Sequence, residues 1–157
     1  MKAFGITLII VLISGSIAGW TAPAGSDIAV VVSRDVPIDD LSFSELRKIL
    51  LGDRQYWSSN LRVTLLIRAP AAREREVILR NVLEMTEAQY RQYWIGKVFR
   101  AESSSAPKSI ATNEMAFSLL NSIPGSIAFV DASQVPKDLK VVRLGGLLPG
   151  AKGYPLN

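Results

Sequence analysis

The chain has 157 residues, 48% hydrophobic and 20% charged, the balance of one ordinary globular domain. The 18 Lys and Arg against 14 Asp and Glu give a formal charge of +4, but the arginines are scattered among acids, so no nucleic-acid surface is expected. With no His and no Cys, imidazole acid–base catalysis, thiol nucleophiles and the usual zinc sets are excluded; no carboxylate pair stands at a recognisable spacing, and no enzyme, metal or cofactor is expected.

Met1-Lys2 is a short positive start. Residues 3–17 are an apolar run, and Ala22-Pro23-Ala24 is a small-x-small site of the kind a signal peptidase reads. The run is shorter than the roughly 20 residues a spanning helix needs, and Gly5, Ser14, Gly15 and Ser16 weaken it. The expectation is a signal peptide over residues 1–24 and a periplasmic or secreted domain over 25–157, rather than an uncleaved anchor. Loss of Lys2 leaves 17 basic groups against 14 acidic, or +3. About 130 residues bury enough core to fold without disulfides.

Residues 28–33 (IAVVVS) are a β-branched apolar run, predicted as a central strand. A turn-forming connector follows, then Ser42 and Glu45 in capping-box spacing, opening a helix that buries Phe43, Leu46, Ile49 and Leu50 and stops at Gly52. Residues 53–60 read as a polar loop whose Tyr56 and Trp57 plug the core.

Residues 62–85 are the unit around which the chain is organised. Residues 63–67 read as a buried strand, and Pro70 stops the ladder and suits a first helical turn. A helix from about Ala72 to Met85 places Ile78, Leu79, Val82, Leu83 and Met85 on one face. Such a strand–loop–helix aims N–H groups and the positive end of the helix dipole at the loop, a candidate anion site at the Ala72 helix start. Arg68 and Arg73 bracket it and could close on an anion from both sides. Glu74 and Glu76 in the first turn already complement the dipole and would repel a second negative charge.

Thr86 and Gln89 again have capping-box spacing, opening a helix whose Tyr90, Tyr93, Trp94, Val98 and Phe99 read as a core stripe. Residues 100–110 read as a long polar loop, in which Ser103, Ser104 and Ser105 could hydrogen-bond an anion. Thr112 caps a fourth helix with Ala116, Leu119, Leu120 and Ile123 inward, ended by Pro124-Gly125. Residues 127–130 and 141–144 are two further strands, and the Gly- and Pro-rich end from Gly145 carries no expected element. Alternating strands and helices give an α/β domain with a mixed or mainly parallel sheet.

Several stretches together resemble one family. They are IAVVVSRDVPIDDLSFSELRKILLGDRQYW, the loop from Arg68 to Arg73 with its helix, MTEAQYRQYW, Pro107, PGSIAFVDAS, and the closing Gly153-Tyr154-Pro155-Leu156. In order and spacing they are similar to the phosphate-binding proteins of ABC transporters, and more closely to their short, periplasmic-binding-protein-like single-domain relatives. The resemblance covers nearly all of the mature chain. It implies a single lobe of a type II periplasmic-binding-protein-like fold, a mixed sheet flanked by about four helices, and non-covalent capture of phosphate or another small oxyanion. Arg68 and Arg73 match the family pattern, but Ala69-Pro70-Ala71-Ala72 stands where strong phosphate binders carry a Gly-Ser-Gly-Thr-like run. Each unpaired oxygen of a desolvated phosphate costs its lost hydration. Two readings stay open. One is a solute-binding-type protein that works with an ABC transporter or a sensor. The other is an interaction or accessory module of the cell envelope that kept the lobe and lost the ligand, where a homodimer could supply the other half of a cleft.

Overall fold

The computed structural model describes residues 26–157, so the expected signal peptide lies outside the described residues. The first strand, β1 (Ile28–Val32), is buried along its whole length. Its β-branched side chains alternate between two apolar layers: Ile28, Val30 and Val32 enter one cluster, Ala29 and Val31 the other. A two-residue strand, β2 (Asp40–Leu41), leads into α1 (Phe43–Leu50). The Ser42 hydroxyl accepts from the Glu45 N–H and the Glu45 carboxylate from the Ser42 N–H, the expected reciprocal cap. Phe43, expected inward, is exposed, while Leu46, Ile49 and Leu50 are buried as expected.

The segment read as a polar loop is instead a hairpin, β3 (Tyr56–Ser58) with β4 (Leu61–Arg62). Trp57 is the plug, buried with its indole N–H donating to Gly125 O at 2.8 Å, whereas Tyr56 faces outward under the Arg62 guanidinium. β5 (Thr64–Arg68) follows. The helix expected over 72–85 is regular only over α2 (Arg73–Ile78), and Leu79–Leu83 widen into a π turn. Glu84 ends it in the left-handed conformation, the Met85 N–H reaches Leu79 O, and the Arg47 guanidinium satisfies Val82 O. Ile78, Leu79, Val82 and Leu83 are buried, with Met85 packed against them.

Thr86 and Gln89 cap α3 (Glu87–Phe99) as expected. Its aromatic stripe is core only through Trp94; Val98 is 38% and Phe99 89% exposed. The long loop after it ends in a strand not anticipated, β6 (Lys108–Ile110). Thr112 caps α4 (Asn113–Ser122), which leads to β7 (Ser126–Asp131), a 3-10 turn over Ala132–Gln134, and β8 (Lys140–Leu144). In α4, Ala116 and Leu120 are fully buried and Leu119 and Ile123 half-buried.

The main sheet has six strands in the order β2-β8-β1-β7-β5-β6. It is mixed: β1 runs antiparallel to β7 and β8, while β5 runs parallel to both β7 and β6. Side chains of α1, α2 and α3 join one apolar cluster and those of α4 the other, so the helices cover both faces. The tail carries no regular element, yet it is fixed: Tyr154 is buried and donates to Ile28 O at 2.8 Å, and the Ile28 N–H donates to Leu156 O.

Gly125 is a point where several parts meet. It has φ of +70°, and a Cβ there would stand 2.0 Å from Arg62 O. Its carbonyl accepts from the Trp57 indole and the Thr64 N–H, and its N–H faces the Asp35 carboxylate. Gly125→Ala is therefore expected to lower stability by more than about 1 kcal/mol, from conformation alone and before the clash is counted. Urea denaturation at unchanged m-value checks this, and an unshifted midpoint would contradict it.

Candidate functional site

The carboxyl ends of β5 and β6 lie side by side, with Arg68 opposite Ile110. From there the chain leaves β5 toward α2 on one face and β6 toward α4 on the other. Adjacent parallel strands whose connections part to opposite faces leave a crevice at their carboxyl ends, the position where open α/β sheets bind ligands.

The β5–α2 connection at this crevice is a tight turn in which the Ala72 N–H donates to Ala69 O at 3.2 Å. Pro70 occupies its second position and Ala71 its third, with φ of +68°. That position favours Gly, and an alanine held there costs about 1 kcal/mol. The turn delivers the chain to α2, whose N-cap, Ala72, has no side chain able to cap. α1, α3 and α4 each have a hydroxyl cap. At α2 the N–H groups of Arg73, Glu74 and Arg75 meet no acceptor among the described residues. They supply the partial positive charge of an anion site.

The side chains around this helix start are cationic but engaged. Arg68 Nη1 donates to Asn113 Oδ1 at 3.2 Å, and its Nε, 3.7 Å from the Glu74 carboxylate, is buried with no hydrogen-bond partner. Asn113 is held in turn by Gln134 at 2.8 Å. Arg73 donates to Ser26 O at 2.6 Å. Arg75 is buried, makes a two-pronged pair with Glu87 at 2.7 and 2.8 Å, and donates to Arg68 O at 3.0 Å. Asn113 and Gln134 were not anticipated: they sit on separate elements, and no local pattern marks them.

Among the sequence candidates, Arg68, Ala72 and Arg73 come together at this crevice. Ser103, Ser104 and Ser105 do not join them. They precede β6 and lie beyond the amino end of β5, about 13 Å away along the strand. There Ser103 Oγ donates to Ser105 O, and Arg62 donates to Ser104 Oγ. Ser103 and Ser105 line a small cavity of 120 Å³ with Arg62 and Lys108. No cluster of three acidic side chains able to hold a metal ion occurs among the described residues.

Asp131, at the carboxyl end of β7, accepts from Ser26 and Ser133. Burial pushes its pKa up, but hydrogen bonds from Ser133 and Ser26 and the charge of Arg73 outweigh that and hold the carboxyl below its ordinary value. A depressed folded-state pKa stabilises the fold above the unfolded value, and that contribution fades as the pH falls through the folded one. The stability difference between wild type and Asp131→Asn is thus expected to be full above about pH 5 and to shrink on acidification. Melting temperatures across that range check it; a difference that grows in acid would contradict it.

No family model matches the chain, and no curated protein matches it either. Solved structures do. PstS from Borrelia burgdorferi superposes with a TM-score of 0.66 at 17% identity, over 83% of this chain and 54% of that one. An ABC-type phosphate transport receptor from Vibrio cholerae gives 0.63 at 18%, over 79% and 48%. A phosphate ABC transporter substrate-binding protein from Clostridium perfringens, solved with bound phosphate, gives 0.60 at 15%, over 78% and 46%. The chain spans about half the length of these proteins, and at such identities the likeness speaks for the fold alone. This chain carries the periplasmic-binding-protein-like fold of the phosphate ABC transporter substrate-binding proteins, in the form of a single α/β lobe.

Proposed function

We propose that the chain is an exported, non-enzymatic solute-binding-type lobe that takes a small oxyanion, phosphate foremost, at the start of α2, in the service of an ABC transporter or a sensor. The observation that carries this reading is the uncapped start of α2 at the crevice between β5 and β6, with three N–H groups unmet and Arg68 and Arg73 beside it. The phosphate transport proteins that share the fold support it. Export rests on the leader read in residues 1–24. Glu74 at the same helix start is an acceptor. A protonated oxyanion carries an O–H that such an acceptor can take up, and sulfate carries none, so hydrogen phosphate is the favoured ligand.

A second reading has an observation of its own. Arg68 and Arg73 already have internal partners in Asn113, Glu74 and the Ser26 carbonyl, as expected of a lobe that has replaced its ligand with its own groups. In that case the chain is an accessory or interaction module of the envelope.

Isothermal titration of the exported chain with phosphate, and with sulfate as control, separates the two. The oxyanion reading expects saturable phosphate binding with Kd on the order of 0.1–1 mM, because two arginines and three N–H groups on an open face desolvate the anion only in part. Arg68→Ala and Arg73→Ala should each weaken it about tenfold. Absence of heat, with an unchanged melting temperature at millimolar phosphate, would remove the oxyanion reading and leave the second.

A further inference from the structure

A groove of 620 Å³ runs along the outward side of α3 at the edge of the sheet, a volume within the range of about 300–1,000 Å³ typical of small-molecule sites. Its floor is buried apolar surface from Ile67, Tyr90 and Trp94; its rim carries Ile95 at 57% and Phe99 at 89% exposure, facing Pro107. β6, the last strand of the sheet, borders it, and no element of the described chain covers it.

Two buried polar groups lie beneath the groove wall. Tyr90 Oη and Trp94 Nε1 are buried without hydrogen-bond partners, although both belong to residues of the groove wall. Burial pushes the Tyr90 hydroxyl up to about 12; Trp94 opposes that rise, yet its indole N–H and the hydroxyl fall outside hydrogen-bond geometry. Both atoms are sealed from solvent, so neither meets an occupant of the groove directly. What distinguishes the groove from a bare apolar patch is charge. Glu87, the acid on the lining, is matched by both prongs of Arg75, while Arg91 has no carboxylate partner among the described residues. The groove therefore keeps one uncompensated positive charge near one end. Arg91 and Phe99 are eight residues apart on α3, about 12 Å along the helix. That geometry suits a linear apolar body with one anionic head better than a compact one.

We infer that this groove, which adjoins the helix-start crevice through Pro70 and Arg75, is a second binding site for a medium-chain aliphatic carboxylate whose head lies at Arg91 and whose tail runs toward Phe99. An apolar wall is of no use to phosphate, and Arg91 and Phe99 lie on α3 away from the start of α2, so failure of decanoate binding is distinguishable from failure of the proposed oxyanion function.

The test uses the exported chain and decanoate below its micelle concentration, with decyltrimethylammonium and phosphate as controls. Decanoate should raise the melting temperature in a saturable way, since a ligand of the native state stabilises it by mass action. Arg91→Gln, a change at an exposed residue, should weaken that binding about fivefold and leave the unliganded melting temperature unchanged. Ser109→Trp, which fills the groove from β6, should abolish it. An absent shift, an equal shift with the cationic amphiphile, or full binding by Arg91→Gln would overturn the proposal. So would sedimentation showing a wild-type dimer that Phe99→Asp dissociates, because the groove would then be covered by a second copy of the chain.

Discussion

The buried guanidinium of Arg75 is the contact on which the proposed binding end of the molecule depends. It makes a two-pronged pair with Glu87 at the first residue of α3 and donates to the carbonyl that ends β5. It also lies 5.3 Å over the Tyr90 ring. One side chain thus joins the strand, the helix that leaves it and the helix after that. Removing it would leave the Glu87 carboxylate without a partner, and losing one half of a buried pair costs about 3–5 kcal/mol, somewhat less here because Glu87 is partly solvated. With Arg75 engaged in this way, the turn at Ala69-Pro70-Ala71-Ala72 is held even though Ala71 sits in a conformation that suits glycine.

The same arrangement explains why the helix start stays open. A serine or threonine at position 72 would accept an N–H from the first turn and close it, as the caps of the other three helices do. Ala72 cannot. The resulting N–H groups are the feature a solute oxyanion would use, and the carboxylate of Glu74 is what limits its charge. The internal partners of Arg68 and Arg73 set a further requirement: a ligand must compete with Asn113 and with the Ser26 carbonyl for the same donors.

What could be read from the sequence was what local chemistry decides. The caps of α1 and α3 depend on residues three apart, and both formed as expected from Ser42 with Glu45 and Thr86 with Gln89. β1, β5 and β7 are apolar runs whose burial the pattern announces, while β8 buries only the alternate Val142 and Leu144. The misses have different causes. β6 is three residues long and is a strand through its pairing with the distant β5, whereas the β3–β4 hairpin pairs locally across Ser59 and Asn60 within a stretch too short and polar to show alternation. Val98 and Phe99 continue the stripe of Tyr90 and Trp94 in sequence, but α3 runs on past the cover of the sheet, so they face solvent. Arg68, Ala72 and Arg73 were legible as a cluster because one turn joins them, while Ser103, Ser104 and Ser105 could be placed only once the direction of β6 was known. Asn113 and Gln134 approach Arg68 through tertiary structure alone.

The central claim is that the unmet N–H groups at the start of α2 receive the ligand. The most direct measurement is amide NMR of 15N-labelled residues 25–157 during phosphate titration. The amides of Arg73, Glu74 and Arg75 should move together and saturate, while those of Ser103, Ser104 and Ser105 stay still. Phosphate-dependent shifts confined to those serines and Lys108, or no shift at the start of α2, would contradict the account.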